Sequence, residues 1–142
     1  MSKDISYYIN KGFGYYQENP KRRCTKNGKC KYSGETLGIK SKGCFIGQWL
    51  KPSERVKADE SGVTDVNDLL NHCDEIEIPK WMKYTNIGLL SDLQNLHDDT
   101  KDNLYWNKNG LTETGKTRLV YICKNYHIPL EKITFINLTE NE

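Results

Sequence analysis

Residues 86–104, NIGLLSDLQNLHDDTKDNL, carry the strongest helical repeat in the chain. Ile87, Leu90, Leu93, His97 and Leu104 fall close to one stripe, with Leu89 and Leu96 beside it, so the spacing predicts a helix buried along one side. A second helix is predicted from Thr112, in the N-cap position, with Leu119, Ile122, Cys123 and Tyr126 as its buried face and Pro129 as its stop. A chain with two such helices is committed to a helix-rich core, and the shorter pieces are read around them.

Residues 4–17, DISYYINKGFGYYQ, place Ile5, Tyr8, Ile9, Gly12, Tyr15 and Tyr16 near helical spacing. Gly12 and Gly14 each weaken this helix by about 1 kcal/mol relative to Ala, and Pro20 closes it off. The runs CKYS and LGIKS, on either side of Gly34, Glu35 and Thr36, read as a small hairpin. From Cys44 the pattern is helical through Phe45, Ile46, Trp49 and Leu50, and KPSE starts a new short turn. Thr64 is the expected N-cap of a helix carrying Val66, Leu69 and Leu70, Pro79 opens a turn at PKWMKY, and the tail KITFINL reads as a strand extending the hairpin. No repeat or linker divides the 142 residues. The expectation is one domain over residues 1–142, of α+β class, helix-rich, with a small antiparallel hairpin or sheet.

No apolar run approaches the roughly 20 residues that span a bilayer, and MSKDISYYINKG lacks the apolar stretch of a secretory signal. Five cysteines, an odd number, argue for free thiols in a reducing compartment. These features set the expectation of a soluble, cytoplasmic protein with no membrane partner. Net charge is only +2, but it is segregated: residues 1–55 carry 12 Lys/Arg against 4 Asp/Glu, and residues 56–142 carry 9 against 15. Such an asymmetry either pairs across the fold or presents a basic face to phosphates and acidic partners, and internal pairing is the more ordinary outcome.

The stretch GCFIGQWL, residues 43–50, raises the question of thiol chemistry. A cysteine opening a helix meets free backbone N–H groups and the positive end of the helix dipole, which favour the thiolate. His97 is the best base on offer, so a Cys44 nucleophile with a His97 base is one arrangement to test. Against it, free cysteine is among the most buried residue types, and a His97 packed in the core against a carbonyl is the plainer alternative. Asp98 is not expected to orient His97, because helical neighbours point about 100° apart. It is expected instead to accept a bidentate bond from Arg22 or Arg23, which would account for the charge segregation. Cys24, Cys30 and Cys44 lack the close pairing of structural zinc sites, so no metal and no cofactor are expected, with structural zinc at these three cysteines kept as a third reading. GLTETGKT, residues 110–117, matches the phosphate-loop pattern by count, but without a preceding apolar strand it is taken as a chance match.

The most basic segment runs from Lys21 to Lys40. Arg22, Arg23, Lys29, Lys31 and Lys40 offer charge for phosphate, and Tyr32 offers a ring for stacking, with Tyr15 and Tyr16 close by. A solvated surface loop remains the ordinary alternative. Taken in order, Arg23–Cys24, Cys30-x-Tyr32, Gly43-Cys44-x-Ile46-Gly47 and Leu93-Gln94-x-x-His97-Asp98 make the chain resemble a loose group of small, largely uncharacterised proteins of phages and bacteria. The resemblance covers residues 22–128 and implies a compact fold with a hairpin and helices, but no established activity. Together these features set the expectation of a phage-type accessory protein, in the host cytoplasm if phage-encoded. It would act by binding a host or defence protein, or a nucleotide or nucleic acid, through residues 20–42. Thiol catalysis by Cys44 and His97 is the alternative.

Overall fold

The computed structural model describes residues 4–26, 29–34, 38, 41–63, 65–72, 74–99 and 104–138. In chain order, helix α1 (Ile5–Glu18) leads into the β1 (Thr25–Lys26) and β2 (Lys29–Cys30) hairpin. Helices α2 (Pro52–Glu60), α3 (Val66–Leu70), α4 (Lys80–Lys83) and α5 (Ile87–Asp98) follow, then the β3 (Trp106–Asn107) and β4 (Gly110–Leu111) hairpin and helix α6 (Glu113–Asn125). Both hairpins are antiparallel, with Thr25 opposite Cys30 and Trp106 opposite Leu111. The class is α+β and helix-rich, with very small two-stranded sheets. No helix among the described residues is long and apolar enough to cross a membrane.

Side-chain caps place the helix starts. The Asp4 carboxylate accepts the Tyr7 N–H, the Asn86 side chain accepts those of Gly88 and Leu89, and Thr112 Oγ1 accepts that of Gly115 at 3.0 Å. The core is aromatic at its centre. Phe13 of α1 stacks on Phe45 with ring centroids 4.6 Å apart, and lies near Trp106 and Phe135. Leu90, Leu93 and Leu96 of α5 and Leu119 and Ile122 of α6 are buried around it. Gly12 earns its place in α1 here, because a Cβ would run into the Phe45 ring.

Several sequence expectations shift. The first hairpin forms one segment early, at residues 25–30, and much of the expected turn and second strand lies outside the described residues. Helix α5 stops at Asp98, not Leu104: Asp99 adopts a left-handed conformation (φ 37°, ψ 60°) and its Oδ2 accepts the N–H groups of Tyr105 and Trp106, both at 2.9 Å. That carboxylate organises the second hairpin, which no alternation announced. Asp65 caps α3 in place of Thr64, a position outside the described residues. The tail does not form a strand. It makes a 3-10 turn at Leu130–Lys132, and Asn10 then holds it to α1, taking the Thr134 N–H on its oxygen and donating its amide to the Lys132 carbonyl.

Candidate functional site

The Gly43–Leu50 stretch folds around the backbone of Tyr32. A Cβ at Gly43, whose φ is +107°, or at Gly47 would strike the Tyr32 carbonyl oxygen. The two glycines therefore serve close packing of two backbone segments. Between them the Cys44 side chain is buried, 2% exposed, and its sulfur accepts the Gly47 N–H at 3.4 Å. Residues 47–49 form a 3-10 turn, so Cys44 does not open an α-helix. The Arg55 guanidinium holds this turn by donating to the carbonyls of Gly47 (2.8 Å) and Gln48 (3.1 Å).

Beneath the turn lies a buried polar chain. The Ile46 N–H donates to Gln94 Oε1 at 2.9 Å, and Gln94 Nε2 donates to Asp98 Oδ1 at 2.7 Å. The same oxygen lies 2.9 Å from His97 Nδ1, while His97 Nε2 accepts the Cys24 backbone N–H at 3.0 Å. An Nε2 that accepts cannot carry a proton, so the ring is neutral with its hydrogen on Nδ1. Full burial lowers the His97 pKa against the pull of Asp98. Burial also drives the Cys44 thiol well above its ordinary range, with the Asp98 charge adding to it, and pushes Cys24 to about 11.

Three expectations are corrected by this geometry. The Cys44–His97 pairing is not assembled: both imidazole nitrogens are committed to Asp98 and Cys24, and the sulfur is a buried thiol bonded to a backbone N–H. Asp98 does orient His97, because the terminal turn of α5 brings adjacent side chains together despite their angular offset. Neither Arg22 nor Arg23 bonds the Asp98 carboxylate in the bidentate manner expected. Arg23 instead donates to the carbonyls of His97 (2.9 Å) and Asp98 (3.1 Å), capping α5 where its dipole is negative, and Arg22 pairs with Glu18 at 2.6 Å.

The basic segment is divided between two concave surfaces. A cavity of about 140 Å³ is lined by Lys31, Tyr32, Cys44 and Gln94 together with Asp59, Asp65 and Asp98, so carboxylates outnumber cations and an anion is repelled there. An open groove of about 490 Å³ is lined by Pro20, Lys21, Arg23, Trp106, Asn107, Lys108 and Asn109, with three cations and no carboxylate among the described residues. Arg23 forms part of its floor, its guanidinium 5.4 Å from the Trp106 ring centroid. The two walls are tied through α1: Gln17 accepts the Leu111 N–H at 2.9 Å and donates to the Asn109 carbonyl.

Of the residues expected to bind, Arg23 alone lies in this groove among those whose side chains are described. Arg22 and Lys42 lie near the Tyr15 ring instead, at 4.7 and 5.2 Å from its centroid. Lys31 faces the acidic cavity. Tyr32 is no stacking surface: it is 6% exposed, Tyr16 is fully buried, and burial raises the hydroxyl pKa of both. The Lys29 side chain and all of Lys40 lie outside the described residues. Lys108, Asn107 and Asn109 were not anticipated, since they lie some 85 residues from Arg23 in the acidic half of the chain; NKNG as a hairpin turn was their one signal. The phosphate-loop look-alike is part of this hairpin and of α6, where Gly115 is buried against Leu111 and the Tyr105 carbonyl. Compared with known protein families, curated proteins and solved structures, the chain matches none.

Proposed function

We propose that the chain is a small accessory protein that acts by binding, and that its ligand is phosphate-bearing and seats in the groove between Lys21, Arg23 and Lys108. The phage-type character of such a protein rests on the resemblance of its motifs. The observation that carries the binding reading is the groove's composition among the described residues: three cations and two amides brought together from distant parts of the chain.

The ion pairs of the described residues support it. Lys51–Glu77, at 2.9 Å, joins a cation of the basic half to an anion of the acidic half. Arg22–Glu18 lies within the first half and Lys116–Glu113 within the second, while Lys57–Glu54 and Lys132–Asp4 pair in the opposite sense. Among these pairs, one joins the basic half to the acidic half and two run against that sense.

Retention on phosphocellulose tests the reading. The double reversal Lys21→Glu with Lys108→Glu is expected to elute at clearly lower salt than Lys80→Glu with Lys83→Glu, which makes the same charge change on the exposed face of α4. Equal elution of the two variants would refute binding at the groove.

A further inference from the structure

We infer that the occupant of this groove is the backbone of duplex nucleic acid, held through its phosphates without reading of the bases. The inference rests on the binding proposed above and narrows it to one class of ligand.

A site for a free nucleotide is a concave, mostly apolar pocket that buries most of the ligand and grips the base. This groove is open, and its two apolar contributors are Pro20 and a Trp106 ring that is 1% exposed. Trp106 is held in place from both sides, its Nε1 donating to the Leu96 carbonyl at 2.8 Å and the Arg23 guanidinium lying over its ring. Among the described residues, no ring lining the groove is open to receive a base. Single strands are bound by laying bases on exposed aromatics, so a groove without such a ring favours bases that remain stacked in a duplex.

What the groove offers suits a regular row of phosphates. Lys21 and Lys108 are exposed and line the groove together with Arg23, and Asn107 and Asn109 add amides at the second hairpin. Asn107 is partly used already, since its Oδ1 accepts the Asn109 N–H at 2.8 Å, which fixes the tip. The Gln17 bonds hold the walls at one separation, so the cations are presented without ordering a loop on binding. Exposed lysines give little to a single small anion in salt water, but the release of counterions from a duplex makes several such contacts effective together.

Fluorescence anisotropy with the full chain tests this. The probes are a labelled 20-base-pair duplex in an A·T-rich and a G·C-rich sequence, the matching single strand, and unlabelled tripolyphosphate as competitor. Two phosphate contacts, from Lys21 and Lys108, predict a fall in duplex affinity of about 12-fold between 50 and 200 mM KCl. The two duplexes are expected to agree within about threefold, and the single strand to bind more weakly. Lys21→Glu with Lys108→Glu should weaken duplex binding at least about tenfold more than the Lys80→Glu with Lys83→Glu control and flatten the salt dependence. Tighter binding of the single strand, competition by tripolyphosphate at concentrations equal to those of duplex phosphate, or a strong sequence preference would overturn the inference. If phosphocellulose retention depends on the groove but the duplex does not bind, the narrower inference fails and the broader one stands. If both variants elute alike, both fail.

Discussion

At Gly43 two penalties coincide, a backbone at φ +107° and a Tyr32 carbonyl where a Cβ would go. Gly62 shares a positive φ of +74° but has open space around it. Gly43→Ala is therefore expected to cost about 3 kcal/mol and Gly62→Ala about 1 kcal/mol in urea unfolding, and equal costs would contradict the packing role of Gly43. His97 supplies the pH-dependent counterpart. Its folded pKa lies below the ordinary 6.5, so the unfolded chain takes up a proton first as pH falls. The contribution of His97 to stability is thus fully present above about pH 6.5 and declines below it, by at most about 1.4 kcal/mol per pH unit. His72 titrates in the opposite sense, its pKa raised chiefly by the Asp68 carbonyl, so the measurement is the difference between the wild type and His97→Gln. Glutamine keeps an acceptor for the Cys24 N–H, and the difference should shrink from pH 7.5 to pH 5.5; a difference independent of pH would show that the imidazole is not held neutral.

The end of α5 shows which elements are legible from the chain and which are not. Apolar spacing placed α5 and α6, and a Thr at the N-cap position placed the start of α6, because those signals are local and repeat over several turns. The turn at Asp99 is decided by a carboxylate reaching two N–H groups six and seven residues on, and no periodicity records such a bond. Asp99→Gly tests that account, since it relieves the left-handed strain yet removes both bonds. The bonds dominate, so a net loss of about 2 kcal/mol is expected, and a higher urea midpoint than wild type would contradict it. The Gly43–Leu50 stretch was misleading in a similar way. Its residue types suit a reactive thiol at a helix mouth, and only the position of Tyr32 shows that its glycines serve packing. The basic groove lay further still from view, because Arg23 and Lys108 meet only through α1 and the second hairpin.

Across the whole molecule, the thiols of Cys24, Cys44 and Cys123 are buried, and burial places Cys24 and Cys123 near 11. Iodoacetamide at pH 8 should modify these three at the rate of global unfolding, so that urea raises labelling in step with loss of helix. Fast modification of Cys44 in native protein would return thiol chemistry to consideration. The same whole-molecule connectivity bears on how the chain is made. Helix α1 donates the Tyr16 hydroxyl to the Gly43 carbonyl and accepts the Leu111 N–H on Gln17 and the Thr134 N–H on Asn10, partners 27, 94 and 124 residues away. Because a ribosome makes the chain from its amino-terminal side, α1 is synthesised well before Leu111 and Thr134, and its Gln17 and Asn10 go without these partners until those residues follow.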